Sequence, residues 1–169
     1  MTQPKFTFPV KIISGGQTGV DRAALDFAMA HEISVGGWIP RGRLTESGPL
    51  DRRYPLKETG STNYALRTLW NARDSDATLI IASTLELSGG TAWTAECARQ
   101  LGKPCCVLHG LNEFPTLVSW LERYRPRWLN IAGPRLSNDA KAPTICCELL
   151  EELLAISQGE QSCCGASES

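Results

Sequence analysis

Histidine is scarce in this sequence, and its cysteines lack the spacing of a structural zinc site. The chain has 2 histidines in 169 residues, His31 and His109. None of its 7 cysteines forms a C-x-x-C pair, so a zinc site would need an unusual set of ligands. Several cysteines are adjacent in sequence instead, and without a secretory leader this usage is typical of reduced thiols. We therefore expect free thiols and predict no metal-ligating residues.

Long apolar runs and an excess of basic charge are also absent. No apolar run approaches the roughly 20 residues that a membrane-spanning helix needs, and residues 1–9 lack the pattern of a secretory leader. The net charge of −1 and the isoelectric point near 6.1 provide no basic field for nucleic acid or an anionic membrane. We expect a cytoplasmic protein without either partner, although a local basic pocket is compatible with this charge.

The length and composition favour one compact domain. Hydrophobic residues make up 42% of the 169 residues, which is enough for a buried core. We predict a single domain over residues 1–156. Residues 157–169 are polar and rich in small side chains, so we expect a disordered tail without a function of its own.

Short apolar runs alternate with helical patterns along the chain. The apolar runs predict buried strands at residues 10–13, 34–39, 77–82, 104–109 and 128–132. The helical patterns predict helices at residues 18–31, 61–73, 91–101, 114–124 and 144–156. Thr18 is a candidate N-cap of the first helix, and Asp21 follows in its first turn. This alternation predicts an α/β, Rossmann-like three-layer αβα sandwich with a mainly parallel sheet.

A glycine-rich turn, Ser14-Gly15-Gly16-Gln17-Thr18-Gly19, follows the first predicted strand and precedes a helix. Glycines let the backbone approach a ligand closely, and a helix N-terminus favours an anion. Gln17, Thr18 and Arg22 add an amide, a hydroxyl and a cation. The turn contains neither G-x-G-x-x-G nor G-K-[ST], which argues against dinucleotide hydride transfer and P-loop ATP hydrolysis. We interpret the turn as a binding site for an anion. Gly16→Val should then block anion binding and leave the protein folded. The alternative is a turn whose glycines serve packing alone.

Two further loops should open on the same edge of the sheet. Ser88-Gly89-Gly90-Thr91 again lies between a strand and a helix, and Gly133-Pro134-Arg135 follows the last strand. Because ligands bind beyond the carboxyl ends of parallel strands, we expect these loops to share one cleft. Glu96 lies further along the helix, where a solvated carboxylate is favoured over an acid–base catalyst.

A long segment without sustained periodicity, residues 40–60, carries Arg41, Arg43, Arg52 and Arg53. Loops of this length are uncommon in compact domains unless they bind or cover a ligand. A lid over an anionic ligand and an ordinary solvated loop are both open interpretations of this segment.

Several segments together resemble the molybdenum cofactor carrier protein family, within the Rossmann-like superfamily that contains the lysine-decarboxylase-like phosphoribohydrolases. The matching segments are residues 13–22 (ISGGQTGVDR), 36–43 (GGWIPRGR), 54–56 (YPL), 73–76 (RDSD), 88–91 (SGGT) and 130–135 (NIAGPR). Their order and spacing over residues 10–135 make chance agreement improbable.

The resemblance implies a homo-oligomer, with a tetramer as the candidate assembly, that binds molybdenum cofactor, stores it and protects it before transfer to molybdoenzymes. This cargo is a pterin with a terminal phosphate and a dithiolene-bound molybdenum, so no side chain need bind the metal. The implied cargo-binding residues are Gly15, Gly16, Gln17, Thr18, Gly19, Arg22, Arg41, Arg43, Ser88, Gly89, Gly90, Thr91, Gly133 and Arg135. Which loop takes the phosphate and which faces molybdenum is left open.

The sequence departs from the phosphoribohydrolase signature P-G-G-x-G-T-x-x-E. Ser88 replaces the proline, Ala92 the third glycine and Trp93 the threonine, while Glu96 keeps the final carboxylate. A carrier without catalytic residues is therefore favoured. Hydrolysis of a nucleotide or phosphoribosyl compound is the alternative, and a nucleotide-sensing module is a third possibility.

Overall fold

The computed structural model describes residues 6–159, which form five helices and a central parallel sheet. The helices are α1 (Val20–Ala30), α2 (Tyr64–Arg73), α3 (Gly89–Gln100), α4 (Phe114–Tyr124) and α5 (Ala142–Ser157). The strands are β1 (Lys11–Ile13), β2 (Ser34–Gly36), β3 (Trp38–Ile39), β4 (Leu44–Thr45), β5 (Gly48–Pro49), β6 (Lys57–Glu58), β7 (Ala77–Ile81), β8 (Cys105–Leu108) and β9 (Trp128–Ala132). The predicted Rossmann-like α/β fold is confirmed. Of the predicted tail, residues 160–169 lie outside the described part of the chain.

The central sheet has the strand order β2-β1-β9-β7-β8, and every neighbouring pair is parallel. The last strand in the chain, β9, therefore lies in the middle, between β1 and β7. If the strands were counted from β9, the sheet would have the Rossmann order 3-2-1-4-5. The strand order then reverses between β9 and β7, which is where a ligand is expected in this architecture.

The predicted strand at residues 34–39 is two strands in different sheets. The chain turns at Gly37, whose φ of 138° is available to glycine and unfavourable for other residues. A Cβ at this position would lie 2.1 Å from the carbonyl oxygen of Ser14. After the turn, β3 leaves the central sheet and pairs with β6. The close approach of two backbones thus explains why a continuous apolar run does not form a continuous strand.

The starts of four helices differ from the sequence-based bounds; α2 begins at Tyr64, after the N-cap Asn63, and not at residue 61. Thr18 is not an N-cap, because α1 begins after Gly19 and receives no side-chain capping hydrogen bond. The second glycine loop is shorter than expected, since Gly89 and Gly90 already belong to α3. The helix α5 starts at Ala142, whose backbone N–H donates to the Asp139 carboxylate at 3.0 Å.

The core has two apolar clusters. The larger one lies between the central sheet and helices that include α1, α4 and α5, with β7 buried along its whole length. The smaller one joins α1 to the segment 40–60 and consists of Leu25, Ile39, Leu50, Tyr54 and Leu56. None of the helices within residues 6–159 combines the length and apolarity that crossing a membrane requires.

We predict that Gly37→Ala destabilises the protein more than Gly60→Ala. Both glycines have a positive φ, but a Cβ at Gly60 meets no atom within 4 Å, whereas at Gly37 it meets the Ser14 carbonyl. Gly60→Ala should therefore lose stability through backbone strain alone. Overpacking should lower the free energy of unfolding of Gly37→Ala by about 1–3 kcal/mol more. Urea unfolding measures both values; equal losses would show that the approach of β1 and Gly37 is unimportant.

Candidate functional site

A cavity of about 260 Å³ lies beside the N-terminus of α3, at the reversal point between β9 and β7. Its wall combines the loop after β1, the buried side of α2, the first turn of α3 and the loop after β9. The lining residues are Gly15, Gln17, Asp21, Arg67, Thr68, Asn71, Ser88, Gly89, Gly90, Thr91, Thr94, Asn130, Ala132, Gly133, Pro134, Arg135, Ser137 and Asn138. The three loops that the sequence placed at one edge of the sheet thus meet around one cavity.

Arg67 is a buried guanidinium on the cavity wall, with 7% of its surface exposed. Its Nη1 donates to the carbonyl oxygen of Gly15 at 2.6 Å and lies 4.0 Å from Oδ2 of Asp21. Within residues 6–159, its Nε and Nη2 make no hydrogen bond. Both nitrogen atoms are accessible to solvent, because neither belongs to the buried polar atoms that lack a partner. These two groups therefore keep donors that a ligand in the cavity can use.

Asp21 connects this guanidinium to two of the loops. Its buried carboxylate accepts the backbone N–H of Gln17 at 3.4 Å, and the backbone N–H groups of Gly15 and Gly133 also stabilise its charged form. Burial raises the pKa of Asp21, while the charge of Arg67 and the three N–H groups oppose this rise. Burial also lowers the pKa of Arg67, although a guanidinium keeps its proton in proteins. Asp21 therefore balances the buried charge and holds the loops after β1 and β9 together.

The N-terminus of α3 points at the same cavity. Ser88 is its N-cap but makes no side-chain capping bond, and the first N–H groups of a helix have no partner within the helix. A Cβ at Gly89 or Gly90 would meet no atom within 4 Å, so these glycines leave the space in front of the helix open. A helix end of this kind favours a negatively charged group.

The cavity wall has a positive charge balance. Asp21 is its one carboxylate, against the guanidinium groups of Arg67 and Arg135. Both guanidinium groups lie near the ring of Tyr64, at 5.3 and 5.8 Å from its centroid, which holds them on one side of the cavity. Two cations, a helix N-terminus and several amides thus form a site suited to an anionic molecule.

The cavity brings together more than half of the residues predicted from the sequence. Those that line it are Gly15, Gln17, Ser88, Gly89, Gly90, Thr91, Gly133 and Arg135. Gly133 has a packing role as well, since a Cβ there would lie 2.3 Å from the carbonyl oxygen of Ile81. Their placement is compatible with the predicted binding role, which stays a prediction.

The remaining predicted residues, Gly16, Thr18, Gly19, Arg22, Arg41 and Arg43, do not line the cavity. Gly16 faces the smaller apolar cluster, where a Cβ would lie 2.7 Å from Cδ2 of Leu50, and its φ is 73°. The expectation that Gly16→Val would leave the fold intact is therefore wrong. Gly19 packs against the loop after β9, with a Cβ only 2.5 Å from the carbonyl oxygen of Pro134.

The arginines of the segment 40–60 have other roles than lining this cavity. Arg43 donates to four backbone carbonyl groups of its own segment, those of Leu50, Asp51, Tyr54 and Leu56. Arg41 is exposed. The segment is an ordered element that contains β4, β5 and β6, and none of its residues lines the cavity.

Glu96, the carboxylate singled out in the sequence, also lies away from the cavity wall. Glu96 pairs with Arg99 on the surface, and hydrogen bonds from Arg99 and Gln100 lower the pKa of Glu96 to about 2. Such a carboxylate is a poor general acid at neutral pH.

The cysteines of the described residues are free thiols. They are Cys97, Cys105, Cys106, Cys146 and Cys147, while Cys163 and Cys164 lie outside the described residues. Burial raises the pKa of Cys105 and Cys106 to about 11, so these thiols are unreactive at neutral pH. Across residues 6–159, no group of three or more His, Cys, Asp or Glu side chains is arranged to hold a metal ion.

Sequence analysis missed Arg67 as the main cation of the cavity, together with Asn71 and Asn130. Arg67 and Asn71 are four residues apart and share the buried face of α2. Asn130 lies within the buried strand β9 and donates to Oγ1 of Thr78 at 3.2 Å. The sequence offered one signal, the polar pair Arg67 and Asn71 at helical spacing. Hydrophobic periodicity assigns such polar residues to the solvent-facing side of a helix.

We predict that Asp21→Asn lowers the free energy of unfolding by about 3–5 kcal/mol, because it leaves the buried Arg67 charge without a carboxylate. Glu96→Gln, which breaks an exposed ion pair on α3, should change stability little. Denaturant unfolding of both variants measures the difference. A small loss for Asp21→Asn would show that the buried ion pair does not support the loops.

Comparison with known proteins agrees with this geometry. The model of the family described as "Circularly permutated YpsA SLOG family" matches residues 12–154. The crystal structure of a protein from Syntrophus aciditrophicus SB, named "putative molybdenum carrier protein", superposes with a TM-score of 0.83 at 43% sequence identity. The match covers 91% of this chain and 98% of that chain. No curated protein matches the chain.

A circular permutation accounts for the central position of β9, since the strand that comes last in the chain occupies the first place of the Rossmann order. The resemblance stated from the sequence is confirmed by the family match together with the solved structure. The chain belongs to the circularly permutated YpsA SLOG family.

Proposed function

We propose that the cavity binds molybdenum cofactor, and that the protein stores and protects this cargo before its transfer to molybdoenzymes. The observation that carries the proposal is the convergence of the buried Arg67 guanidinium and the α3 N-terminus on one cavity. The name of the similar protein from Syntrophus aciditrophicus supports a molybdenum-related cargo.

The chemistry of the cargo suits this wall. Molybdenum cofactor has anionic groups at two ends, a terminal phosphate and a molybdenum oxo centre, with a flat pterin between them. The free N–H groups of α3 and the open donors of Arg67 suit a phosphate or another oxyanion. The dithiolene of the cargo holds its metal, so the protein has only to bind the oxygen atoms and the ring.

The size of the cavity limits how much of the cargo it encloses. Its volume of about 260 Å³ is at the lower end for small-molecule sites, which are typically about 300–1,000 Å³. We propose that it holds one anionic end and that the rest of the cargo extends across its mouth toward Arg135 and Ser137.

A carrier role is favoured over hydrolysis of a nucleotide or phosphoribosyl compound. Glu96, the surviving carboxylate of the hydrolase signature, does not line the cavity and is held by Arg99. The one lining carboxylate, Asp21, is occupied by Arg67 and three backbone N–H groups. The buried free thiols are compatible with the reducing cytoplasm, and the predicted homo-oligomer is part of the same proposal.

Purification from a host that makes molybdenum cofactor tests the proposed cargo. We expect molybdenum and pterin to accompany the protein in equal amounts, and neither to do so from a host blocked in pterin synthesis. Elemental analysis and fluorescence of the oxidised pterin measure the two components. If both are absent and the protein does not protect added cofactor from oxidation, the proposal is wrong.

Gly90→Leu should block loading without weakening the fold. The new side chain enters open space in front of α3, while the loss of a helical glycine favours folding by up to about 1 kcal/mol. We expect the bound molybdenum to fall about tenfold or more, with a thermal midpoint equal to or above that of the unmodified protein.

Ala65→Leu is the matched control for this variant. Ala65 is exposed on α2 and lies outside the cavity wall. This variant should load normally. Normal loading of Gly90→Leu would instead show that the cargo does not bind at the α3 N-terminus.

A further inference from the structure

A carboxylate of the chain itself occupies a cluster of donors beside the cavity. Glu46 lies at the tip of the β4–β5 hairpin and reaches the loops that follow β1 and β9. Its Oε1 accepts the Thr18 hydroxyl and the Ser137 backbone N–H, the latter at 3.2 Å. Its Oε2 accepts the Ser137 hydroxyl and lies 4.0 Å from Nε of Arg135.

These donors are the groups that proteins use to bind oxyanions. Hydroxyls, a backbone N–H and a guanidinium converge on one point from two different loops. Hydrogen bonds from Ser137 and Thr18 lower the pKa of Glu46, so the carboxylate is an anion at neutral pH. Glu46 is an exposed residue at a hairpin tip, and 19% of its side chain is accessible to solvent.

The side-chain amide of Gln17, which contacts the backbone of Glu46, is buried and only partly hydrogen-bonded. Gln17 is 5% exposed, and its Oε1 accepts the backbone N–H groups of Glu46 at 2.9 Å and Thr18 at 3.0 Å. Two N–H donors require an oxygen there, which fixes the orientation of the amide. Its Nε2 then points away from both and has no hydrogen-bond partner among residues 6–159.

The donor cluster is continuous with the cavity. Gln17, Arg135 and Ser137 contact Glu46 and also line the cavity wall. Glu46 itself does not line the cavity. Departure of its side chain would therefore expose a second set of donors next to the first.

We propose that Glu46 is a surrogate anion. It fills a second oxyanion subsite, formed by Thr18, Ser137 and Arg135, from which the second anionic group of a bound ligand displaces it. This inference rests on the proposed function, because a ligand with two anionic groups is needed and the proposed cargo has one at each end. The first end binds at Arg67 and the α3 N-terminus, and the second takes the place of the Glu46 carboxylate.

Titration calorimetry with inorganic phosphate and with molybdate tests the subsite. Both probes are oxyanions small enough to bind each subsite separately. Glu46→Gln removes the competing charge, so we expect the second binding event to become about tenfold tighter while the first stays unchanged. Glu46→Ala should give the same gain, and unfolding cannot produce an increase in affinity.

Two control variants locate the effect. Glu58→Gln removes a carboxylate of the same segment that accepts the Gly42 backbone N–H at 2.5 Å, so its isotherm should match that of the unmodified protein. Adding Ser137→Ala to Glu46→Gln should reverse the gain. If Glu46→Gln and Glu46→Ala both bind the probes as the unmodified protein does, the surrogate role is excluded.

The outcome separates this inference from the proposed cargo. A gain in phosphate affinity in Glu46→Gln supports the subsite even if the protein purifies without molybdenum and pterin. Conversely, a protein that carries both but shows no gain in either Glu46 variant would overturn the subsite and leave the cargo in place.

Discussion

The buried ion pair of Asp21 and Arg67 is the interaction on which the geometry of the site depends. A guanidinium on a buried helix face is costly unless a carboxylate balances it, and Asp21 does so while backbone N–H groups of two loops stabilise its charge. Those loops follow β1 and β9, so one carboxylate sets the distance between two walls of the cavity. Because Asp21 uses its oxygens in this way, Arg67 keeps donors for a ligand. Asp21 thus neutralises the charge of Arg67 but leaves part of the guanidinium free to donate hydrogen bonds to a ligand.

The order of strands explains why the ion pair lies where it does. With β9 in the middle of the sheet, the loop that follows it stands beside the loop after β1 and opposite α3. In a Rossmann sheet the first strand precedes the main ligand-binding turn, and here that place belongs to the last strand of the chain. The residues after β9, Gly133 to Arg135, thereby take a position that the chain order alone would assign to the glycine turn after β1. Both turns therefore line the cavity, the first through Gly15 and Gln17 and the second through Gly133 and Arg135.

Sequence reasoning predicted the fold and the edge of the sheet well, because both follow from local patterns. Apolar runs and helical periodicity identified the main helices and strands, and parallel strands bring their following loops to one edge. The sequence-based prediction was wrong to give every glycine of the first turn a place on the cavity wall. Gly16 and Gly19 have positive φ and pack against Leu50 and Pro134, and spelling alone cannot separate a glycine that packs from one that admits a ligand. It also missed Arg67, because the burial of a cation depends on Asp21, a partner distant in sequence. The family resemblance implied that Arg41 and Arg43 bind the cargo, but Arg43 holds its own segment together.

We propose that an anionic pterin binds where Arg67, Arg135 and the α3 N-terminus converge. Anomalous X-ray diffraction at the molybdenum edge, from crystals of protein loaded in a cofactor-producing host, locates the metal of the cargo directly. We expect a single molybdenum peak at the cavity or its mouth, within reach of Arg67 or of the Thr18, Ser137 and Arg135 cluster. A molybdenum peak elsewhere on the protein, with the cavity empty of pterin and phosphate density, would contradict it.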